Sequence, residues 1–467
     1  MRKKILAGAA LCVGMTLAWS AAAGAQTLAP PPGSKVTPLT AGGFFDEPAI
    51  AVNARNPQQV TGAYQVTAHA AYSTDAGEHW ETASGTASKN YFVSGDVSVT
   101  YDKQGRAILC YIAFDRLGTT DYWAHGATRN GIFIRRSPDG GKTWEPKEIT
   151  VIAQPTKPGI PFEDKPDIVA DNTDGPYAGN LYIGWTEFTL TETVILFSRS
   201  TDGGETWSAP VRISTRAGLP RDDNGAVEGF TGAVGTDGTL YVCWGDNNAI
   251  TFTTSADGGR TFAPSRVILN TAPIYFHAAH VERANGFPEM GIDPKSGRLF
   301  VVWADYRNGD VDVFCATSED RGATWSDARR VNSDGIHDGA DQFFQWLSVD
   351  PVDGSANVIF YDRRNDPTDR KVDVVLARST DGGKTFANYL WSTESFDPDD
   401  DFIGDYNGIA AYGGRVYGIW AEKISPEKAA KNGGQPEERP AAGKKAHFTR
   451  VMTAIADFNK PAAASGK

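Results

Sequence analysis

The stretch STDGGETW, residues 200–207, decides the fold, because its pattern S-x-D-x-G-x-x-(W/F) occurs six times along the chain. The aspartates of the six copies are Asp75, Asp139, Asp202, Asp257, Asp320 and Asp381. In such a stretch the carboxylate can accept backbone N–H groups, the glycine can take positive φ, and the aromatic residue anchors the next strand. We therefore predict that these six aspartates stabilise turns and have no catalytic role.

Each octapeptide lies inside a larger unit of four short strand-like segments. In the third unit these segments are KPDIVAD (165–171), NLYIGWTEF (180–188), TVILFSRS (193–200) and APVRIS (209–214). A unit of four short strands that returns about every 60 residues is typical of a β-propeller blade. The repeats therefore predict an all-β chain with one blade per unit.

A seventh unit keeps the strands but has lost the octapeptide, in residues 404–422 and 447–458. Residues 34–52 resemble a fourth strand that leads into the first strand of a following blade, so we expect the N-terminus to complete the last blade. Pairing both chain ends would close the ring and remove exposed sheet edges. We predict one β-propeller over residues 26–459, with seven blades and six as the alternative.

The two ends of the chain and one internal segment lie outside this repeat. Residues 1–25 have a basic start, an apolar stretch and a small-residue cleavage site after Ala25, which predicts a signal peptide and a secreted or periplasmic protein. Residues 425–445 are polar and rich in Pro and Gly, which predicts a mobile loop in the last blade, and residues 460–467 are expected to be disordered.

The composition limits the classes of partner. Lys and Arg number 45 against 57 Asp and Glu, a formal net charge of −12, which argues against binding nucleic acid or an anionic membrane. Cys110, Cys243 and Cys315 each lie in an apolar strand-like run, so we expect three buried free thiols. We expect a monomer without a cofactor.

The octapeptide resembles the Asp-box, or BNR repeat, of the sialidase superfamily, and the resemblance covers nearly the whole mature chain. It implies a secreted propeller that acts on glycans. The function that it favours most is that of a glycoside hydrolase of the exo-α-sialidase type, which acts on acidic sugars. In such propellers the ligand lies at the face opposite to the Asp-box turns. On that face polar residues flank the strands in every unit here, for example in FEDKPD (162–167) and YDRRNDP (361–367).

The sialidase resemblance assigns roles to individual residues. It implies Tyr406 as nucleophile, Glu289 as the base that activates it, and Asp96 as acid/base catalyst. It also implies a carboxylate-binding set of Arg307, Arg363 and Arg364, with Glu422 steadying an arginine. A guanidinium binds a carboxylate through two hydrogen bonds, which is why arginines suit an acidic sugar. Asp46, however, stands where sialidases have their first substrate-binding arginine.

Two other classes of function remain open from the sequence. A polysaccharide lyase needs a base, an acid and a cation that neutralises a uronate, and His277, His280, Arg283, Tyr306, Arg307 and His337 supply such groups. A binding propeller is the other alternative, since the rim is rich in acids. The acidic rim residues are Asp46, Glu47, Glu163, Asp164, Asp167, Asp305, Asp341, Asp362 and Asp405. Such a rim makes Ca²⁺ possible.

Overall fold

The computed structural model describes residues 27–65, 67–91, 93–115, 129–154, 161–273, 275–434 and 448–461. The predicted signal peptide and most of the predicted disordered tail lie outside these residues. Within them, no helix is long and apolar enough to cross a membrane.

Seven four-stranded antiparallel sheets, one two-stranded hairpin and one short helix make up the described chain. The chain begins with the N-terminal strand β1 (Lys35–Pro38). Blade 1 consists of β2 (Asp46–Val52), β3 (Val60–Gln65), β4 (His69–Ser73) and β5 (Glu81–Thr82). Blade 2 consists of β6 (Val93–Tyr101), β7 (Ala107–Phe114), β8 (Asn130–Ser137) and β9 (Ile149–Ala153). Blade 3 consists of β10 (Phe162–Ala170), β11 (Leu181–Phe188), β12 (Thr193–Ser200) and β13 (Val211–Arg212). Blade 4 consists of β14 (Val227–Val234), β15 (Leu240–Asp246), β16 (Ala249–Ser255) and β17 (Arg266–Asn270).

A hairpin of β18 (Tyr275–Phe276) and β19 (Ala284–Asn285) separates blade 4 from blade 5. Blade 5 consists of β20 (Glu289–Ile292), β21 (Leu299–Asp305), β22 (Asp312–Ser318) and β23 (Arg329–Arg330). Blade 6 consists of β24 (Gln342–Val349), β25 (Ala356–Asp362), β26 (Asp373–Ser379) and β27 (Ala387–Leu390). Blade 7 combines β28 (Gly408–Tyr412), β29 (Arg415–Lys423) and β30 (Thr449–Asp457) with β1.

The first strands of the seven blades line the centre of a closed ring. Each first strand contacts the first strand of the next blade, and contact between β28 and β2 closes the ring. The seven first strands are β2, β6, β10, β14, β20, β24 and β28. The ring closes inside blade 7, where β1 pairs with β30 so that Lys35 lies opposite Ile455. The predicted seven-bladed all-β propeller, with its last blade completed by the N-terminus, is confirmed.

The core lies between adjacent blades. Every residue of the second strands β7, β15, β21 and β25 is buried, because blades cover both faces of these strands. This explains why these strands are continuously apolar in sequence instead of alternating. Cys110 and Cys243 lie on such strands and Cys315 lies on the third strand β22, and all three are buried free thiols, as predicted.

The Asp-box turns connect the third and fourth strands of blades 1 to 6. In blade 3, the Ser200 hydroxyl donates to Asp202 Oδ1 over 2.7 Å and accepts the Gly204 N–H over 2.9 Å. Thr206 donates its N–H to Asp202 Oδ1 over 3.0 Å and its hydroxyl to Oδ2 over 2.5 Å. Each aspartate of the pattern therefore accepts several donors inside its own turn.

The opposite face is shaped by a repeated irregularity in the first strands. Five of them carry a β-bulge near their start, at the same register in each blade. The bulged residue has positive φ in every case, namely Glu47, Asp96, Lys165, Gly229 and Phe344. Four of these are not glycine, so the backbone bears strain there, as is common next to functional sites.

The segment predicted as a mobile loop contains the only helix in the described residues, α1 (Pro426–Lys431). The Ser425 side chain caps it by accepting the Lys428 N–H, and Ala429 packs with Ile424 and Phe448. Residues 435–447, the remainder of that segment and the two residues that follow it, lie outside the described residues.

Candidate functional site

The bulges bring acidic side chains together at the mouth of the central channel, and we call this group the channel-mouth cluster. Its carboxylates come from blades 1, 2, 3, 4 and 7 and from the loop before β14. They are Asp46, Glu47, Asp96, Asp164, Asp222, Glu228 and Asp405. Two cations, Lys165 and Arg283, and two phenols, Tyr275 and Tyr406, complete the cluster. It lies at the start of the first strands, opposite the Asp-box turns.

Asp96 and Asp164 form a carboxylate pair across the boundary between blades 2 and 3. The Lys165 N–H donates to Asp96 Oδ2 over 3.1 Å and to Asp164 Oδ1 over 3.0 Å, so both carboxylates converge on one donor. Burial, together with the charge of Asp96 and a hydrogen bond from it, raises the pKa of Asp164 well above its ordinary value. Two carboxylates this close cannot both ionise easily, so the pair shares a proton at neutral pH.

The ammonium group of Lys165 lies over three aromatic rings. Its Nζ is 4.1 Å from the ring centroid of Tyr406, 4.8 Å from that of Phe287 and 5.2 Å from that of Trp346. Trp346 and Tyr406 themselves pack with centroids 5.3 Å apart. The positive charge thus lies against aromatic faces, which attract cations.

The β18–β19 hairpin supplies the other cation. Arg283 donates from Nε to Asp405 Oδ1 over 2.8 Å, pairs through Nη2 with the second Asp405 oxygen, and reaches Asp222 over 3.1 Å. The Asn285 side chain also donates to the Asp405 carbonyl oxygen over 3.1 Å. Both terminal nitrogens of Arg283 are therefore engaged by carboxylates of the protein itself.

Burial decides the protonation of the deeper acids. Asp46 is fully buried, neither of its carboxylate oxygens has a hydrogen-bond partner among the described residues, and burial raises its pKa to about 7. Burial also raises the pKa of Glu47, Glu228 and Tyr406 well above their ordinary values, and neighbouring carboxylates add to each shift. The cluster therefore contains both neutral and ionised acids at neutral pH.

Beneath the cluster the channel narrows to a cavity of about 80 Å³ lined by Ser98, Asp167, Phe230, Trp346 and Tyr406, among others. Ligand pockets for small molecules usually measure about 300–1,000 Å³. The enclosed part of the channel is thus too small for a sugar, and a ligand would lie above it, against the cluster.

Comparison with known proteins bears on the repeat and on the fold. The sequence model of the BNR/Asp-box repeat matches residues 198–209, around the third octapeptide. The chain is an Asp-box β-propeller. A search of curated protein sequences found no match.

Several solved structures share the architecture of this Asp-box propeller. A polysaccharide lyase of a family named PL25, an ulvan lyase, is 12% identical with a TM-score of 0.50, over 84% of this chain and 94% of the other. The Hadza microbial sialidase Hz136 is 15% identical with a TM-score of 0.48, over 84% and 73%. The α-L-arabinofuranosidase Arb93A from Fusarium graminearum is 16% identical with a TM-score of 0.47, over 76% and 91%. At 12% identity, the likeness to the lyase structure concerns the fold alone.

Two of the three predicted catalytic residues lie in the channel-mouth cluster of the propeller. Asp96 belongs to the carboxylate pair, and the Tyr406 ring lies under the Lys165 ammonium. Glu289 is buried deeper, where it accepts a hydrogen bond from the Thr231 hydroxyl over 3.3 Å. Among the described contacts none joins Glu289 to Tyr406; the carboxylates that act on the Tyr406 phenol are Glu47, Asp96, Asp405 and Asp164.

The arginines predicted to bind the substrate, Arg307, Arg363 and Arg364, lie outside the channel-mouth cluster, and their role in substrate binding remains a prediction. Arg307 forks onto Asp305 with Nε 2.9 Å from Oδ1, and Arg364 forks onto Asp362 over 2.6–2.8 Å. Arg363 is buried against the Ala279 carbonyl and pairs with Asp369 over 3.4 Å. Each arginine is neutralised by acids of its own blade or loop, so none of the described contacts turns it towards the channel.

Among the remaining predicted residues, the lyase candidate Arg283 belongs to the cluster, whereas Glu422, His277, His280 and Tyr306 are not part of it. Glu422 does pair with an arginine, but the partner is Arg450 on the neighbouring strand, over 2.6 Å. Of the lyase candidates, His277 and Tyr306 are exposed at the rim, and His280 lies 3.2 Å from both Asp400 and Arg370.

The possible Ca²⁺ remains a prediction. Within the described ranges, no three acidic, histidine or cysteine side chains are arranged to hold a metal ion.

Asp222, Glu228 and Tyr275 are residues of the cluster that sequence reasoning missed. For Glu228 a signal was available, because the segments before the first strands align as FDEP (45–48), SGDV (94–97), EDKP (163–166) and VEGF (227–230). Each has an acid at or beside the bulge. Asp222 and Tyr275 had no such signal, because they lie in connections whose path depends on the fold.

Proposed function

We propose that the propeller is an exported glycoside hydrolase that cleaves glycans at a sugar without a carboxylate, using acids of the channel-mouth cluster. The observation that carries this proposal is the Asp96–Asp164 pair, in which two carboxylates from adjacent blades converge on the Lys165 N–H. Glycoside hydrolysis commonly needs one protonated and one ionised carboxylic acid beside the same bond. A pair whose environment keeps one proton supplies both protonation states, and a bound sugar would have to separate the two carboxyl groups to about 5–9.5 Å.

The division of labour follows from exposure. Asp164 is 4% exposed and has a raised pKa, so it is the group that keeps the proton and donates it to the leaving oxygen. Asp96 reaches solvent, which suits the partner that acts on water or on the anomeric carbon. Trp346 and Tyr406 offer aromatic faces beside the pair, as sugar-binding sites often require.

The charge of the cluster argues for a substrate without a carboxylate. Seven carboxylic acids face two cations; some of the acids are protonated, and among the ionised ones Asp405 and Asp222 already bind Arg283. A carboxylate brought among like charges in a partly desolvated site is repelled by several kcal/mol, at roughly 332/(ε·r) per pair. A neutral or amine-bearing sugar meets no such repulsion.

The test is hydrolysis of a panel of aryl glycosides by the mature protein from Gln26. The panel includes α-L-arabinofuranoside and α-sialoside, with ulvan as a polysaccharide, because propellers of this fold are named for these substrates. We expect cleavage of a neutral glycoside, with kcat lower by about 100- to 10,000-fold in Asp164→Asn and Asp96→Asn.

The matched control is Asp174→Asn, an exposed carboxylate that pairs with Lys103 in a turn on the Asp-box face. It should leave kcat unchanged. The hydrolase proposal fails if no glycoside of the panel is cleaved, or if the Asp96 and Asp164 variants retain full activity. An unsaturated product from ulvan would favour the lyase reading instead, and saturable binding without any product would favour a binding propeller.

An exo-α-sialidase is the second candidate, and the position of Tyr406 favours it. This phenol lies in the cluster among carboxylates, as a nucleophilic tyrosine activated by a carboxylate base would. The carboxylates that act on it are Glu47, Asp96, Asp405 and Asp164, and Glu289 is not among them. If wild type hydrolyses the α-sialoside and Tyr406→Phe lowers the rate of that hydrolysis by at least about 100-fold, the sialidase candidate is supported. If the ring is only a binding surface, Tyr406→Phe should lower kcat on a neutral glycoside by less than about 10-fold.

A further inference from the structure

Tyr275 lies between two carboxylates of the cluster. Its hydroxyl oxygen is 2.6 Å from Asp222 Oδ1 and 2.8 Å from Glu228 Oε2. Both distances are in the range of good O–H···O hydrogen bonds. A phenol, however, has one proton and can donate only once. If both carboxylates were ionised, one of these short contacts would join two oxygens with no proton between them.

The missing proton must therefore lie on one of the two carboxylic acids. Asp222 has a compensating cation, because Arg283 Nη1 lies 3.1 Å from its second oxygen. Glu228 is 4% exposed, lies on the bulge of β14, and accepts no hydrogen bond from a cation among the described contacts. Isolated charge in a buried position is costly, so the proton belongs on Glu228.

We propose that Glu228, Tyr275 and Asp222 form a proton relay, in which Glu228 stores one proton at neutral pH and Asp222 is the outlet towards solvent. Glu228 donates to the Tyr275 oxygen, and Tyr275 donates to Asp222. When the relay acts, the Glu228 proton passes to the Tyr275 oxygen as the Tyr275 proton passes to Asp222. One proton thus moves from Glu228 to Asp222, only O–H bonds change, and no electron is transferred.

The relay has a use in the proposed reaction, and only this use rests on the proposed function. A glycosidic oxygen that leaves with the electron pair of its bond must gain one proton, and the water that adds to the sugar returns one. A proton that leaves the site during turnover passes from Glu228 through Tyr275 to Asp222, and the same two hydrogen bonds, used in reverse, return a proton to Glu228. Tyr275 and Glu228 are thus positioning residues, because they act through other groups.

Several charged groups face Glu228 and set its titration. They are Asp222 and Tyr275 in the relay, Asp405 and Lys165 across the channel mouth, and Asp164 on the neighbouring blade. The carboxylates raise the pKa of Glu228 in addition to burial, and Lys165 and Tyr275 lower it, with the balance upward. This direction agrees with the proton count from the contacts of Tyr275.

The first experiment is infrared spectroscopy of the mature protein at neutral pH, which detects the carbonyl stretch of a protonated carboxylic acid. We expect Glu228→Gln to remove one such band. Tyr275→Phe should shift the same band, because the protonated acid loses its acceptor. The matched control is Glu289→Gln, a second buried acid with a raised pKa but outside the relay, which should remove a different band. Circular dichroism confirms that each variant is folded.

A spectrum in which Glu228→Gln removes no band overturns the stored proton. A band that does not move in Tyr275→Phe overturns the relay contact, and this variant keeps the test decisive if Glu228→Gln does not fold.

The second experiment is the pH profile of hydrolysis. Tyr275→Phe should lower kcat by about 100-fold with little change in KM, and should remove the basic limb of the profile. An unchanged profile would overturn the use of the relay in catalysis. If no glycoside is cleaved, the hydrolase proposal fails, while the infrared bands still decide whether Glu228 holds the proton.

Discussion

The Asp-box turns and the channel mouth lie on opposite faces of the same blades, and both are built around aspartate. At the turns, burial opposes the charge, but donors from Thr206 and Ser200 lower the pKa of Asp202 to about 2. At the mouth, Asp46 has no hydrogen-bond partner among the described residues, and burial raises its pKa to about 7. Aspartate is thus a structural anion on the Asp-box face and a protonated acid at the channel mouth. The two sites differ in the number of hydrogen-bond donors and in access to water.

This comparison predicts that one substitution, Asp to Asn, has opposite effects on the two faces. At the mouth it removes a buried carboxylate for which the cost of burial outweighs the effects of Gln65 and Arg283. At the turn it removes a charge that several donors stabilise. The predictions below are arranged by the size of the expected effect.

Asp46→Asn should stabilise the protein at alkaline pH. The pKa of Asp46 is raised to about 7 from 3.8, so the folded state holds the proton more tightly between these values. Stability is therefore lost progressively as pH rises from about 4 to 7, and the neutral amide avoids this loss. We expect the variant to be more stable than wild type by up to about 4 kcal/mol at pH 8 and equal to it below about pH 4, measured by urea unfolding. Equal stability at both pH values would show that the buried charge costs nothing.

Asp202→Asn should destabilise the protein at neutral pH. The substitution weakens the hydrogen bonds from Thr206 and Ser200, which hold the turn between β12 and β13. We expect a loss of about 1 kcal/mol at pH 7, since the turn is largely exposed.

The pH dependence of this loss has the opposite sign to that of Asp46. The pKa of Asp202 is lowered to about 2, so its contribution is complete above pH 4 and is lost as pH falls through 2. The difference between variant and wild type should shrink below pH 4. Hydrolytic activity should be retained, because the turn lies on the other face; a loss of activity in the folded variant would contradict the separation of the two faces.

Arg321→Gly should give the smallest effect, a gain of about 0.5 kcal/mol. In the fifth Asp-box turn Arg321 has φ of +62°, a conformation that glycine adopts at no steric cost, and its ion pair with Asp237 is exposed. The control is the next residue: Gly322 has φ of +82°, and an added Cβ would lie 2.5 Å from the Phe252 ring. Gly322→Ala should therefore be less stable by at least about 1 kcal/mol, and thermal unfolding measures both. A gain in both variants would contradict the strain argument.

The fold could be predicted from the sequence because its signals are local and repeated. Each of the six octapeptides contains, within eight residues, the side chains that form its turn. The buried second strands are recognisable in the sequence as apolar runs. Even the closure by β1 was visible, since residues 34–52 have the pattern of a fourth strand followed by a first strand.

The site was predicted only in part, since its members come from distant parts of the chain. Two residues singled out from the sequence, Asp96 and Tyr406, lie in the channel-mouth cluster. The sequence pattern does not state which acid pairs with each arginine: Arg364 donates to Asp362, two residues before it.

By itself, the sequence determined the seven-bladed all-β ring, its turns and the face on which function should be sought, because each blade is specified by contacts among neighbouring residues. Only the tertiary structure decided which carboxylates meet. Glu228 and Tyr275 are 47 residues apart, and Arg283 and Asp405 are 122 residues apart, yet each pair is in hydrogen-bond contact. Protonation depends on burial and on such contacts, so the chemistry of the mouth arises only when the ring is closed.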